Sequence, residues 1–291
     1  MKNMKKALAL ILVFAMLFVV AGCGNKDDDG GSGSKAKLTA REVADKMVEA
    51  TGKVKSVQND ITCNITISMA MNADGEEFSM DMEMDMAMQS ITSNDPVAGY
   101  FKTEMTMDAM GMNETETTEI YVVEEDGEYV SYTYTESDGS WERSIADEQY
   151  QEKLSEGADT YNYLKDMKDD DLNLAKKTEE IDGKDTYVLS FTISGDYLEE
   201  MGMNLEELMG AGLDTSKISF PMTLYIDTET FLPVRAVTTI DGLGDLLNEM
   251  MGESMGDIGG EMNIDVKCED FVSVMTYDVK VPAVPTEAMG H

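Results

Sequence analysis

Hydrophobic and polar residues alternate strictly through two long stretches of the chain. In the first, Ile61, Cys63, Ile65, Ile67, Met69 and Met71 share one phase. The turn-forming segment Asn72-Ala73-Asp74-Gly75 follows, and then Met80, Met82, Met84, Met86 and Met88 repeat at every second position, separated by Asp81, Glu83, Asp85 and Ala87. A period of two predicts strands with one apolar and one polar face, hence an antiparallel sheet that is dry on one side. The 13 residues from Phe78 to Ser90 would span about 43 Å at ~3.3 Å per residue, far longer than an ordinary strand. Ahead of these strands the period is that of a helix. Val43, Ala44, Met47, Val48 and Val54 fall on one face, and Thr39 with Glu42 three residues later forms a capping box.

The alternation continues in "VAGYFKTEMTMDAM", "TTEIYVV" and "YVSYTYT", with turn chemistry in "SNDP", "EEDGE" and "ESDGS". A helical stretch is expected from Ala146 to Met167, carrying Tyr150, Leu154, Tyr161 and Leu164. A second group of strands follows in residues 182–194, 218–240 and 261–281. It is interrupted by two insertions rich in methionine and glycine, residues 196–214 and 241–262, each read as a short amphipathic helix lying over a cavity mouth or plugging the sheet. The expected class is α+β, a long antiparallel sheet with helices on its apolar face.

The start of the chain places this body. Residues 1–22 combine a basic head (Lys2, Lys5, Lys6), an apolar run from Ala7 to Val20 and a small-residue end, which reads as a signal peptide. Val20-Ala21-Gly22-Cys23 has the form of a lipobox, so Cys23 is expected to carry a diacylglyceryl group with palmitate-like chains. Two acyl chains at about 0.8 kcal/mol per buried CH2 anchor stably where one is marginal. Residues 23–37 then read as lipidated cysteine and flexible tether, and 38–291 as one domain. The expected location is extracytoplasmic, anchored to the cell membrane by a lipid, as a monomer on a Gram-positive-type surface.

Charge and inventory narrow the chemistry. The chain carries a net charge of −36, and loss of the signal leaves 19 basic against 58 acidic residues, a balance of −39. Such a surface excludes nucleic acid as a partner. The single histidine is the final residue, His291, so no histidine-based triad or imidazole metal cluster can form within a core. No phosphate loop, nucleophile elbow or dinucleotide glycine pattern occurs. Carboxylates suffice for a glycosidase, but 58 of them nominate no pair. The expectation is a protein that is not an enzyme, with no catalytic residues, no cofactor and no metal. Cys63 and Cys268 share the phase of their apolar neighbours, so they form either an inward-facing disulfide or two buried thiols.

Methionine is unbranched and polarisable, so a wall built of it accepts ligands of varied shape. A packed core is the competing reading. Thioethers also suit copper(I), but alternate side chains along one strand lie about 6.6 Å apart and need help from a neighbouring strand. Methionines in the two insertions could instead serve as oxidant traps.

The lipobox, the tether, the capped helix, the long meander, "LYIDTETFLPVR" (Leu224 to Arg235) and the closing "YDVKVPAVPTEA" (Tyr277 to Ala288) together resemble the LolA/LppX-like superfamily of bacterial lipoproteins and lipoprotein carriers. The resemblance implies a strongly curved half-barrel with helices in its concave face, around an apolar cavity that takes acyl chains or lipidated partners. On this reading Ile65, Ile67, Met69, Met71, Met80, Met82, Met84, Met86, Met88, Met105 and Met107 line the site of an apolar small molecule or lipid. The alternatives are an interaction module with a filled core and, further off, a copper(I)-binding protein.

Overall fold

The computed structural model describes residues 38–73, 76–109, 111–145, 161–200, 215–245, 248, 261–268 and 270–290. The lipobox with Cys23, the tether, residues 146–160 of the expected helical stretch, and the greater part of both insertions lie outside the described residues. The chain opens with helix α1 (Ala40–Thr51). Both halves of its capping box are made: the Thr39 amide donates to Glu42 Oε2 at 2.8 Å and the Glu42 amide donates to Thr39 Oγ1 at 3.2 Å. These bonds satisfy amides that a helix start otherwise leaves open. The apolar stripe is buried as its spacing predicts, at Val43, Ala44, Met47 and Val48.

Strands β1 (Ser56–Ala73), β2 (Glu76–Asn94), β3 (Val97–Ala109), β4 (Met112–Glu125), β5 (Glu128–Thr135) and β6 (Ser140–Ile145) form the predicted meander. At 18 and 19 residues, β1 and β2 are longer than the alternation alone delimits, each reaching about 60 Å. Helix α2 (Tyr163–Asp166), β7 (Asn173–Leu174), β8 (Glu179–Ile181), β9 (Lys184–Ser194), α3 (Gly195–Glu200), β10 (Ser219–Asp227), β11 (Pro233–Thr238), β12 (Glu261–Cys268) and β13 (Phe271–Tyr277) complete the described elements. Thirteen strands join one open antiparallel sheet in the order β6-β5-β4-β3-β2-β1-β13-β11-β10-β9-β7, with β12 against the far half of β1 and β8 against β9. This is the expected half-barrel class, with helices on the apolar face.

Between β10 and β11 the chain reverses through Asp227. Its Oδ1 accepts the amides of Glu229 (2.8 Å) and Thr230 (3.1 Å), and its carbonyl accepts the amide of Phe231 (2.9 Å). A short side chain that mimics a backbone turn explains why aspartate opens this reversal. The main core then gathers α1, the odd positions of β1, Met84, Met86 and Met88 of β2, Tyr161 and Leu164 of the α2 segment, and the inner residues of β9, β10 and β13.

The alternation predicts one buried face, and here the structure differs. Ile91, Tyr100, Tyr121, Val130 and Tyr132 form a second cluster, with Trp141 packed against it. Ile91 pairs with Tyr100, Tyr100 with Tyr121 and Tyr121 with Tyr132, so the cluster is a row across β2–β5 on the face opposite Ser90 and Phe101. The C-terminal tail covers it with Val284 and Ala288. The tail is pinned at its start, where Ser56 Oγ donates to the Val279 carbonyl at 2.7 Å and the Asp278 amide donates to the Ser56 carbonyl at 3.1 Å. Aromatic area removed from water on both sides of this part of the sheet is the driving force.

Candidate ligand-binding face

Register assembles the predicted methionine positions into rows across four strands. Cys63 stands opposite Met86 and Met86 opposite Met105; Cys268 opposite Ile65, Ile65 opposite Met84 and Met84 opposite Met107. Val266 pairs with Ile67 and Ile67 with Met82; Ile264 pairs with Met69 and Met69 with Met80; Met262 pairs with Met71. Residues directly opposed in an antiparallel pair share a face and interact. The assigned positions thus fall into shared rows across β1, β2 and β3, and the register adds the positions of Val266, Ile264 and Met262 on β12 to those rows.

Burial divides this face in two. Met82, Met84, Met86 and Met88 are each 5% exposed or less, and Ile65 is buried with them. Ile67, Met69, Met80, Met105, Met107 and Val266 are half-buried. The Asn59–Ser90 pair sets buried polar residues into this face, with Asn59 Nδ2 donating to Ser90 Oγ at 3.5 Å. Val57 and Phe101 continue the core on that side, while the other end is apolar and part-exposed. That half-exposed margin is legible only once burial is known, because exposed and packed methionines have the same phase.

The opposite face of the same strands is wet and cross-linked by side chains. Asn64 Nδ2 donates to Asp85 Oδ1 at 2.8 Å, Gln89 Nε2 donates to Asp60 Oδ1 at 2.8 Å, and Thr106 and Thr115 hydroxyls lie 3.0 Å apart. Two hollows open among the described residues, one at these strands and one at β9–β11. One, of about 730 Å³, is lined by Thr62, Asn64, Asp85, Glu104, Thr106 and Asp270 among others. The second, about 510 Å³, involves Asn173, Ser190, Thr192, Pro221 and Thr223. Both mix carboxylates and hydroxyls with apolar side chains, Cys63, Met86 and Val272 in the first and Phe191, Met222 and Val237 in the second. Among the described residues no three His, Cys, Asp or Glu side chains gather as a metal site.

Buried tyrosines border the main core. Tyr161 Oη donates to Met275 Sδ at 3.6 Å, and Tyr163 Oη donates to Met222 Sδ at 3.6 Å. Tyr277 Oη donates to the Pro233 carbonyl at 2.5 Å and also reaches Met275 Sδ at 3.7 Å. Methionine sulfur here supplies weak acceptors where water is excluded. Burial pushes the ionisation of all three phenols up, with the nearby Tyr161 hydroxyl adding to the effect at Tyr163 and Tyr277.

Residues 39–242 match the model of a family described as a family of unknown function, DUF6612. No curated protein matches the chain. Among solved structures the chain is similar to LprF from Mycobacterium bovis, with 17% identity and a TM-score of 0.42 over 86% of this chain and 97% of that one. It is similar to the lipoprotein LppX of Mycobacterium tuberculosis, with 14% identity and a TM-score of 0.34 over 84% and 97% of the two chains. A putative outer membrane lipoprotein-sorting protein domain from Vibrio parahaemolyticus is 10% identical, with a TM-score of 0.23 over 83% and 93%.

Proposed function

The chain belongs to the DUF6612 family, a family of unknown function, and from the geometry of its sheet we propose that it is a membrane-tethered surface lipoprotein that binds a lipid or acyl chain along its methionine face. The observation that carries this reading is that the apolar face runs from the packed core into a half-buried margin. Ile67, Met105, Met107 and Val266 keep the inward phase and pack against the edge of the core while half-buried, and Met69 and Met80, also half-buried, extend the face of β1 and β2 past them. An acyl chain laid there removes further apolar area from water, at about 25 cal/mol per Å². Methionine suits the task because its flexible, polarisable side chain repacks around varied shapes.

In this reading Cys23 carries the anchor, residues 24–37 are the tether, and the domain acts as a non-enzymatic monomer. No described helix is long and apolar enough to cross a membrane. The acidic surface keeps the tethered body off anionic headgroups.

Native mass spectrometry of the protein after incubation with mixed phospholipid vesicles and free fatty acids tests the proposal. A bound mass that extracts as lipid is expected. Replacing the half-buried Met80 and Met107 by Gln should abolish it with little change in thermal midpoint. A bare protein mass under every condition overturns the reading and returns the whole face to the core.

A further inference from the structure

The register sets thioethers beside one another as one strand alone cannot. Met84 and Met86 of β2 are about 6.6 Å apart along their strand. Directly across stand Met107 and Met105 of β3, and opposed residues in an antiparallel pair bring their Cβ atoms to about 5 Å. Four thioethers therefore occupy the corners of one small plot. Its β2 side is packed, with Met84 and Met86 exposed by 2% and 3%, while Met105 and Met107 are half-buried. The next strand continues both rows with acids: Glu116 pairs with Met105 and Glu114 with Met107. Glu116 is half-buried and its Oε1 accepts the Ser137 amide at 3.2 Å; Glu114 is exposed.

We propose that Met84, Met86, Met105 and Met107 form a binding site for a soft monovalent cation, copper(I) or silver(I). Thioether sulfur selects such ions and is a poor ligand for calcium or magnesium, which take oxygen. Three rotatable bonds in each side chain let sulfurs on neighbouring strands converge on one point. Neutral ligands leave the ion its single positive charge, which is costly to bury alone. The two carboxylates at the β4 border offset that cost and mark the accessible side, where Met105 and Met107 reach solvent. The site requires neither a cavity nor lipid, so it stands apart from the acyl-chain reading.

The test uses purified protein titrated with silver(I), and anaerobically with copper(I) held by a chromogenic competing chelator. One equivalent should bind, with only sulfur in the first coordination shell by X-ray absorption. Met86→Leu combined with Met105→Leu, which conserves volume, should weaken binding by at least about tenfold. Met47→Leu in α1 should not change it. Thermal melts of both variants exclude loss of fold as the cause. Failure to compete with the chelator, unchanged affinity in the double leucine variant, or oxygen or nitrogen in the shell overturns the site. So does loss of binding on Cys63→Ala while the double leucine variant still binds.

Discussion

The guanidinium of Arg41 on α1 donates through Nη1 to the carbonyl oxygen of Leu164 at 2.5 Å, fastening the first helix to a segment 123 residues further along. Nη2 donates to the Met167 carbonyl, and Nε reaches Asp169 Oδ1 at 2.7 Å. The fork thus satisfies carbonyls at the end of α2, which a four-residue helix cannot satisfy itself. Arg41→Ala should lower unfolding stability by roughly 2–3 kcal/mol, since bonds to a charged donor are lost and carbonyls are left open. Lysine should restore only a minor part, lacking the planar fork. Asp169→Asn should cost less than about 1 kcal/mol, because that carboxylate is largely exposed. Denaturant midpoints compared at constant slope decide this; an alanine cost no greater than that of Asp169→Asn would show the carbonyl contacts to be idle.

The tail that covers the outer aromatic row provides a second prediction. Val284 and Ala288 are buried against Ile91, Tyr100, Tyr121, Val130 and Tyr132, and Trp141, the one tryptophan of the chain, lies 5.8 Å from Tyr121 between ring centroids. Ending the chain after Asp278 should expose this row, shift Trp141 emission to the red, and lower stability by roughly 2–4 kcal/mol from lost apolar burial. Unchanged emission would mean that the tail contributes no cover.

The inner and outer clusters differ in how far the sequence announced them. Strict alternation from Ile61 to Met88 carries its own face assignment, because a one-residue slip would turn every apolar residue to water. The capping box at Thr39 and Glu42 is equally local. The outer row is not: Tyr100, Tyr121 and Tyr132 occupy positions that alternation assigns to water, and their cover is a tail whose Val284 lies more than 150 residues away in sequence from each of them. Pairing across strands was likewise invisible. "MDMEMDMAM" fixes that its methionines share a face, yet only register sets Met84 against Met107 and Met86 against Met105. Burial, the quantity that separates packed Met86 from half-buried Met107, depends on what lies above each residue and has no signature in the phase.

Tyrosine burial makes a prediction at alkaline pH. The Tyr121 phenol is pushed up to about 12, chiefly by burial, with Tyr100 and Glu119 charges adding to it. Tyr161, Tyr163 and Tyr277 move in the same direction because they are buried. Unfolded tyrosine ionises near 10. A folded value above the unfolded one means that the unfolded chain gives up protons first, so stability is full below about pH 10 and falls as pH rises beyond it. Denaturant midpoints should therefore hold steady from neutral pH to about 9 and drop above 10, with tyrosinate absorbance rising as the protein unfolds. Ionisation of Tyr161, Tyr163 and Tyr277, assigned by single Phe replacements, near pH 10 in protein that remains folded would contradict this.

Cys63 and Cys268 supply the last prediction. In the β1–β12 register Cys268 pairs with Ile65, two residues along β1 from Cys63, so the two cysteine positions are diagonal neighbours. A regular diagonal spans about 7–8 Å between Cα atoms, slightly beyond the reach of a disulfide without backbone adjustment. We propose that the two cysteines bond outside the cytoplasm, closing a loop long enough to stabilise the fold by on the order of 5 kcal/mol in the chain-entropy account. Alkylation in denaturant should then label neither cysteine before reduction and both afterwards, with reduction adding the mass of two hydrogens. Labelling of both before reduction, in protein purified without reductant, would make Cys63 a small apolar member of the methionine face and remove the cross-link from the account of its stability.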